Sequence, residues 1–280
     1  MFTYSYLLDE LNYFVKAGAT VGTIGSSESG NLIPYIKIGE GDGVIVVGSI
    51  HARENLTSAL ILMQARYALA QKFEGAIYFV PMLNPDGVTL IEKGAYAFPK
   101  KAEELIKING STDFSLWKAN INGVDLNVNF DARWGRGESN IFYPSSQNFV
   151  GNAPRSESEV KAIVDFTLKV KPKATVSYHA KGEMLLWYFH QTPLRQARDR
   201  AIAIRLNEKL QYVLQNSMTN SAGGYKDWCI SKLGIPAFTV EIISDSFAHP
   251  LQDWALTREQ IQRNIDLPVT LLDAVREKRG

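Results

Sequence analysis

Residues 44–54 read VIVVGSIHARE. The run from Val44 to Ile50 is apolar and β-branched without alternation, which predicts a strand covered on both faces. His51, Arg53 and Glu54 follow at once, so the chain surfaces there. Three further runs of the same kind are AIYFVPML (76–83), ATVSYHA (174–180) and AFTVEII (237–243). Helical patterns fill 55–72, 157–170 and 193–216, and a last one begins near Thr257. Ser156 with Glu159, and Thr257 with Gln260, have the spacing of capping boxes, and Pro268 is expected to kink or split the last helix. Strands alternating with helices predict an α/β fold: a mixed, mostly parallel twisted sheet with helices on both faces. Ligands in such sheets bind beyond the carboxyl ends of the strands.

The 280 residues are 45% hydrophobic, enough for one large core. No linker, repeat or low-complexity tract divides them, so a single domain over 1–280 is expected. A net charge of +1 argues against nucleic acid or an anionic membrane as partner. The single cysteine, Cys229, excludes an internal disulfide, and a buried, inert thiol is expected between Trp228 and Ile230. No run of about 18 apolar residues exists to span a membrane. The first residues, MFTYSYLLDELNYF, have early acids and no signal-peptide pattern. A cytoplasmic location is therefore expected, with an exported, spore or cell-wall location as the alternative.

His51 follows the first strand, His179 ends ATVSYH, and Glu241 sits late in FTVEII. Each histidine alone reads most simply as a hydrogen-bonded structural residue. Two imidazoles, one carboxylate and a water, however, make a tetrahedral catalytic zinc site. His51 and Glu54 stand about one helical turn apart, close enough to share an ion, and a histidine on a neighbouring strand can close the set. Such spacing is weak support by itself.

The ordered set of motifs is more specific. His-x-Arg-Glu (51–54), Asn-Pro-Asp-Gly (84–87), GVDLNVNF (123–130), SESE (156–159), Ser-Tyr-His (177–179), GGYKDW (223–228) and Thr-Val-Glu-Ile (239–242) occur in this order. In that order the sequence resembles the zinc carboxypeptidase family, over residues 40 to 245. The resemblance implies one zinc ion bound by His51, Glu54 and His179, with Glu241 as general base. It implies a cationic partner for the oxyanion at Lys118, after Trp117, where the family has an arginine. An ordinary surface lysine is the plainer reading of that position. Arg53 is expected to orient substrate or brace the zinc-binding loop. Asn127 is expected to contact substrate, and Tyr225, beside two glycines, to close over it.

One departure stands out. Val128 takes the place of the arginine that, with the asparagine before it, grips a substrate's terminal carboxylate in the family. Three explanations are open. A nearby base, Arg133 or Lys181, replaces it; the substrate continues past the cleaved bond; or the fold binds without cutting. SYHAKGEMLLWYF and AGGYKDW resemble the bacterial γ-D-glutamyl-diamino acid peptidases within the family, although Ala180 and Lys181 differ from that branch. The branch implies a peptidoglycan-derived peptide as substrate, with Asp227, Glu183, Arg133 and Lys181 placed to read its charged diamino acid. A non-catalytic binding module and an amidohydrolase acting on another small substrate are the competing readings. Arg136, His190 and His249 are expected on solvated loops.

Overall fold

Apolar runs fully covered by helices set the centre of the sheet. The computed structural model describes residues 2–215, 220–251 and 255–276. Among them, eight strands form one sheet: β1 (Thr20–Ser26), β2 (Leu32–Glu40), β3 (Gly43–Val47), β4 (Gly75–Val80), β5 (Ala174–His179), β6 (Met184–Leu186), β7 (Val213–Gln215) and β8 (Ala237–Glu241). Their order is β1-β2-β4-β3-β5-β8-β6-β7. The four central strands, β4, β3, β5 and β8, run parallel to one another. β2 joins β4, and β6 joins β8, in antiparallel pairing. The expected mixed α/β sheet is therefore present.

The helices are α1 (Tyr4–Lys16), α2 (Leu56–Leu69), α3 (Pro85–Lys93), α4 (Ala102–Asn109), α5 (Ser158–Val170), α6 (Pro193–Leu210), α7 (Tyr225–Trp228), α8 (Arg258–Asn264) and α9 (Leu267–Arg276). Successive β3 side chains point to opposite faces. Val44 and Val46 enter one core with residues of α1, α2, α6 and α9, such as Phe14, Leu60, Leu206 and Leu272. Ile45 and Val47 enter the other, with Ile163 of α5 and Tyr225 of α7. This two-sided burial is why β3 shows no alternation in the sequence. Truncating Ile45 to Ala is expected to destabilise by about 2–5 kcal/mol.

Two terminus readings turn out differently. Thr257 does cap α8, accepting from the Gln260 backbone N–H. Pro268 sits in the first turn of α9, and the last helix is split into α8 and α9 ahead of it. Ser156, by contrast, does not cap α5. Glu157 holds the N-cap position, and Ser156 Oγ donates to the Glu157 carboxylate instead.

Candidate active site

The turn after β3 is fixed before any catalytic group enters it. A side chain at Gly48 would collide with Ile61 Cδ1 and the Pro81 carbonyl, at 2.6 and 2.9 Å. Ser49 adopts a positive φ of 43°. Its N–H donates to Thr57 Oγ1 (2.8 Å), and its hydroxyl meets Ser58 Oγ (2.7 Å). Thr57 in turn donates to the Glu54 carbonyl at 2.8 Å. These bonds tie the turn to the start of α2. A single 3₁₀ turn, Ala52–Glu54, then brings His51 and Glu54 onto one side, because residues i and i+3 eclipse in that geometry. The Asn-Pro-Asp-Gly motif braces the same turn. The Asn84 N–H donates to the Ser49 carbonyl (3.0 Å), and its side-chain amide donates to the Ala119 carbonyl (3.0 Å).

Strand register brings in the remaining groups. His179 and Glu241 are direct partners at the ends of β5 and β8. Nδ1 of His51 lies 2.9 Å from Glu54 Oε1, and Nδ1 of His179 lies 3.0 Å from Glu54 Oε2. The two Nδ1 atoms face each other at 3.1 Å. Two imidazole nitrogens and a carboxylate that converge in a dry site have the donor chemistry of a zinc centre. These Nδ1 contacts make it the nitrogen that His179 directs to the shared point, while its Nε2 is buried without a partner among the described residues. Burial raises the Glu54 pKa, but His51 and His179 outweigh it and hold the carboxyl well below the usual range. The group is therefore ionised at neutral pH, as a ligand must be.

Asp125, from the GVDLN segment, is a site residue that sequence reasoning missed. It is fully buried, with Oδ1 lying 3.2 Å from His51 Nε2 and Oδ2 lying 2.8 Å from Lys118 Nζ. Its carboxylate also accepts the N–H groups of Asn127 (3.0 Å) and Asn148 (3.1 Å). Burial opposes its ionisation, yet Lys118 and His51 hold its pKa well below the ordinary value. One carboxylate thus orients a histidine of the triad and fixes the Lys118 ammonium. A charged residue inside an apolar VDL run was the available signal.

A cavity of about 420 Å³ opens on these groups, lined by His51, Lys118, Asn127, Val128 and Glu241 and running on to Lys226 and Asp227. Burial pushes the Glu241 carboxyl up to about 7, a rise that His179 opposes. A carboxyl near neutrality at a strand end is suited to moving a proton. A more open cavity of about 860 Å³ at the opposite end of the sheet carries the ion pairs of Lys173 with Asp42 and Arg276 with Glu74, and brings together no histidine and no group of three possible metal ligands among the described residues.

Several expected contacts lie elsewhere. Tyr225 does not face the cavity. It is fully buried, its hydroxyl meets Thr167 Oγ1 at 2.8 Å, and its ring packs on Phe130 and Trp228. Within a helical turn adjacent residues point about 100° apart, and in α7 it is the next residue, Lys226, that reaches the cavity. Lys226 is 8% exposed and donates to the Tyr188 carbonyl (3.1 Å) and to Asp227 (2.5 Å). Of the two roles foreseen for Arg53, the contacts are those of a brace: its guanidinium donates to the Leu116 carbonyl (3.2 Å) and to Gln147 (3.4 Å). Asn127 lines the cavity and accepts from the Tyr225 N–H at 3.2 Å. Lys181 turns away to the Asp245 carbonyl at 2.8 Å, and Glu183 lies against Gln260 and Arg263. Arg133 bonds to His190 in a separate, adjoining cavity. Cys229 is buried, and burial pushes its thiol up to about 12, as an inert cysteine requires.

Comparison with known proteins bears on this arrangement. The zinc carboxypeptidase family profile matches residues 5–267. The gamma-D-glutamyl-L-diamino acid endopeptidase 1 of Lysinibacillus sphaericus is 32% identical over 273 residues, covering 90% of this chain and 68% of the relative. The carboxypeptidase A of Helicoverpa armigera superposes with a TM-score of 0.77 at 19% identity, over 99% of this chain and 74% of that one. The murein-tripeptide amidase MpaA of Escherichia coli O157 superposes with a TM-score of 0.61 at 19% identity, over 92% of this chain and 94% of that one.

Proposed function

The chain belongs to the zinc carboxypeptidase family, and on that premise we propose that this metallopeptidase hydrolyses the γ-D-glutamyl–diamino acid bond of peptidoglycan-derived peptides. The observation that carries the hydrolytic part is the pairing of His179 with Glu241 at neighbouring strand ends, on the cavity that His51 and Lys118 also line. His51, Glu54 and His179 would hold the metal. Zinc, when bound, supplies Lewis-acid activation of the carbonyl and of water. Glu241 takes the proton of the attacking water and delivers it to the leaving amine. Lys118, fixed by Asp125, provides positive charge for the developing oxyanion.

The choice of bond rests on the relative's printed activity and on the charges deeper in the cavity. Val128 offers no grip on a carboxylate, and neither Arg133 nor Lys181 reaches this cavity. Lys226 is the buried cation that does, and we assign it the carboxylate the missing arginine would have held. Asp227 beside it gives the cavity a group of the opposite sign, as a zwitterionic amino acid needs. Incubation of zinc-loaded protein with L-Ala-γ-D-Glu-meso-diaminopimelate, followed by mass spectrometry, tests the reading. Diaminopimelate is expected as product. Intact substrate alongside cleavage of an ordinary C-terminal peptide bond would replace this assignment with a general carboxypeptidase.

A further inference from the structure

The catalytic cavity does not end at Lys226. Asn220 and Ser221 form part of its wall and also part of the wall of a second cavity, of about 220 Å³. That second cavity holds Arg133, Arg136 and His190 over a floor that includes buried Phe189. It is electropositive for reasons visible in its bonds. The Arg133 guanidinium donates to a ring nitrogen of His190 rather than to a carboxylate. Among the described residues Arg136 has no side-chain partner, while its N–H donates to the Arg133 carbonyl at 3.1 Å. Among the described lining residues the one carboxylate, Glu138, accepts from the Asn220 side-chain amide at 2.7 Å. The Glu138 N–H also donates to the Asn220 carbonyl at 2.9 Å, so the arginine-bearing loop is pinned to the wall between the cavities. Two guanidinium groups of which neither pairs with an acid among the described residues are suited to an oxyanion, since guanidinium forks match carboxylate geometry.

We infer that Arg133 and Arg136 form a second carboxylate subsite, which receives an anionic group at the far end of a substrate whose reacting bond lies at the metal triad. The inference rests on the reading of the catalytic cavity given above and adds to it. Lys226 holds the carboxylate near the cleaved bond, and the arginine pair holds a remote one. A diamino acid with a carboxylate on its distal centre fits both positions. Lysine, which has the distal amine without that carboxylate, fills only the first.

The test compares L-Ala-γ-D-Glu-meso-diaminopimelate with L-Ala-γ-D-Glu-L-lysine. Binding is measured by calorimetry to zinc-loaded Glu241→Gln protein, with and without Arg133→Gln/Arg136→Gln. The diaminopimelate peptide is expected to bind roughly tenfold more tightly than the lysine peptide, a preference that falls to within about twofold when both arginines are replaced. Equal binding of the two peptides, no binding of either, or a preference that survives the double substitution would overturn the subsite. Turnover by protein with Glu241 intact is scored separately and decides the reading of the catalytic cavity. The two can therefore fail independently.

Discussion

Two regions of the molecule gather acidic and metal-ligating side chains at comparable density, and they solve the burial of charge in opposite ways. At the ends of β3 and β5, His51, Glu54 and His179 converge. At the start of α5, Glu28, Glu157 and Glu159 converge, with Asp86 contributing further negative charge. In the first region imidazoles and Lys118 accompany the acids, and Glu54 and Asp125 are held ionised. In the second the hydrogen-bond partners of Glu157 and Glu159 are neutral, and the Lys161 charge acts on Glu28, whose carboxyl is lowered despite burial by its Ser158 and Asn122 contacts and by that charge. Asn120 donates to both Glu157 (2.8 Å) and Glu159 (3.3 Å), and Asn122 donates to Glu157 (2.9 Å). Lys161 gives its ammonium to the Ser156 carbonyl. Burial, and then the charges of Asp86, Glu28 and Glu157, push the Glu159 carboxyl up to about 8. The first region keeps its charges for chemistry, and the second carries a proton. Proximity of acids alone does not separate a metal centre from a structural cluster. Between Glu54 and Glu159, the carboxyls at the two points of convergence, the direction of the pKa shift and the kind of neighbour do.

The contrast can be broken most severely at Glu241. Replacement by Gln is expected to lower kcat by about 10³-fold or more while one zinc stays bound. Loss of zinc in that variant would make Glu241 a ligand. His179→Ala should weaken zinc binding by at least about 10²-fold in competition with a chromophoric chelator, and Asp125→Asn by roughly 10–100-fold. Full zinc occupancy in His179→Ala would remove His179 from the ligand set. Lys118→Met is expected to reduce kcat by about 10²-fold with little change in KM, whereas a change confined to KM would indicate ground-state binding. The smallest effect on turnover belongs to the other region. Glu159→Gln should leave zinc content and kcat near those of the parent, but alter the pH dependence of stability. A carboxyl whose folded pKa is raised gives stability that is full below its unfolded pKa, near 4.5, and lost as pH rises through about 8. Thermal unfolding of the parent should therefore fall by a few kcal/mol equivalent between pH 5 and about 9, and the variant should lose much less. Parallel curves would show that Glu159 is already ionised.

How far this was legible in the sequence depended on which physical signal each part carries. The four central strands announced themselves because burial on both faces makes continuous apolar runs. β1 and β2 did not: β1 has no fully buried residue, and exposed and buried positions mix along β2. β6 and β7 are three residues each, too short to show a period. α6 was expected to reach residue 216 but ends at Leu210, where Gln211 turns left-handed without a glycine to mark it. Within the site, His51, Glu54, His179 and Glu241 were named from motifs at strand ends, and the fold brings these four together. Lys226 was passed over in favour of its neighbour Tyr225, because phase within a four-residue helix is not readable from a single sequence. Arg136 and His190 carry no motif, and only the chain's path places them beside Arg133.

The most direct test of the account is a zinc titration of chelator-treated protein, with release of diaminopimelate from L-Ala-γ-D-Glu-meso-diaminopimelate as the readout. A single zinc centre requires negligible turnover at the start, a linear rise, and saturation at one zinc per chain. Turnover that persists in the chelated protein, or that saturates at any other ratio, would contradict a single zinc centre built on His51, Glu54 and His179.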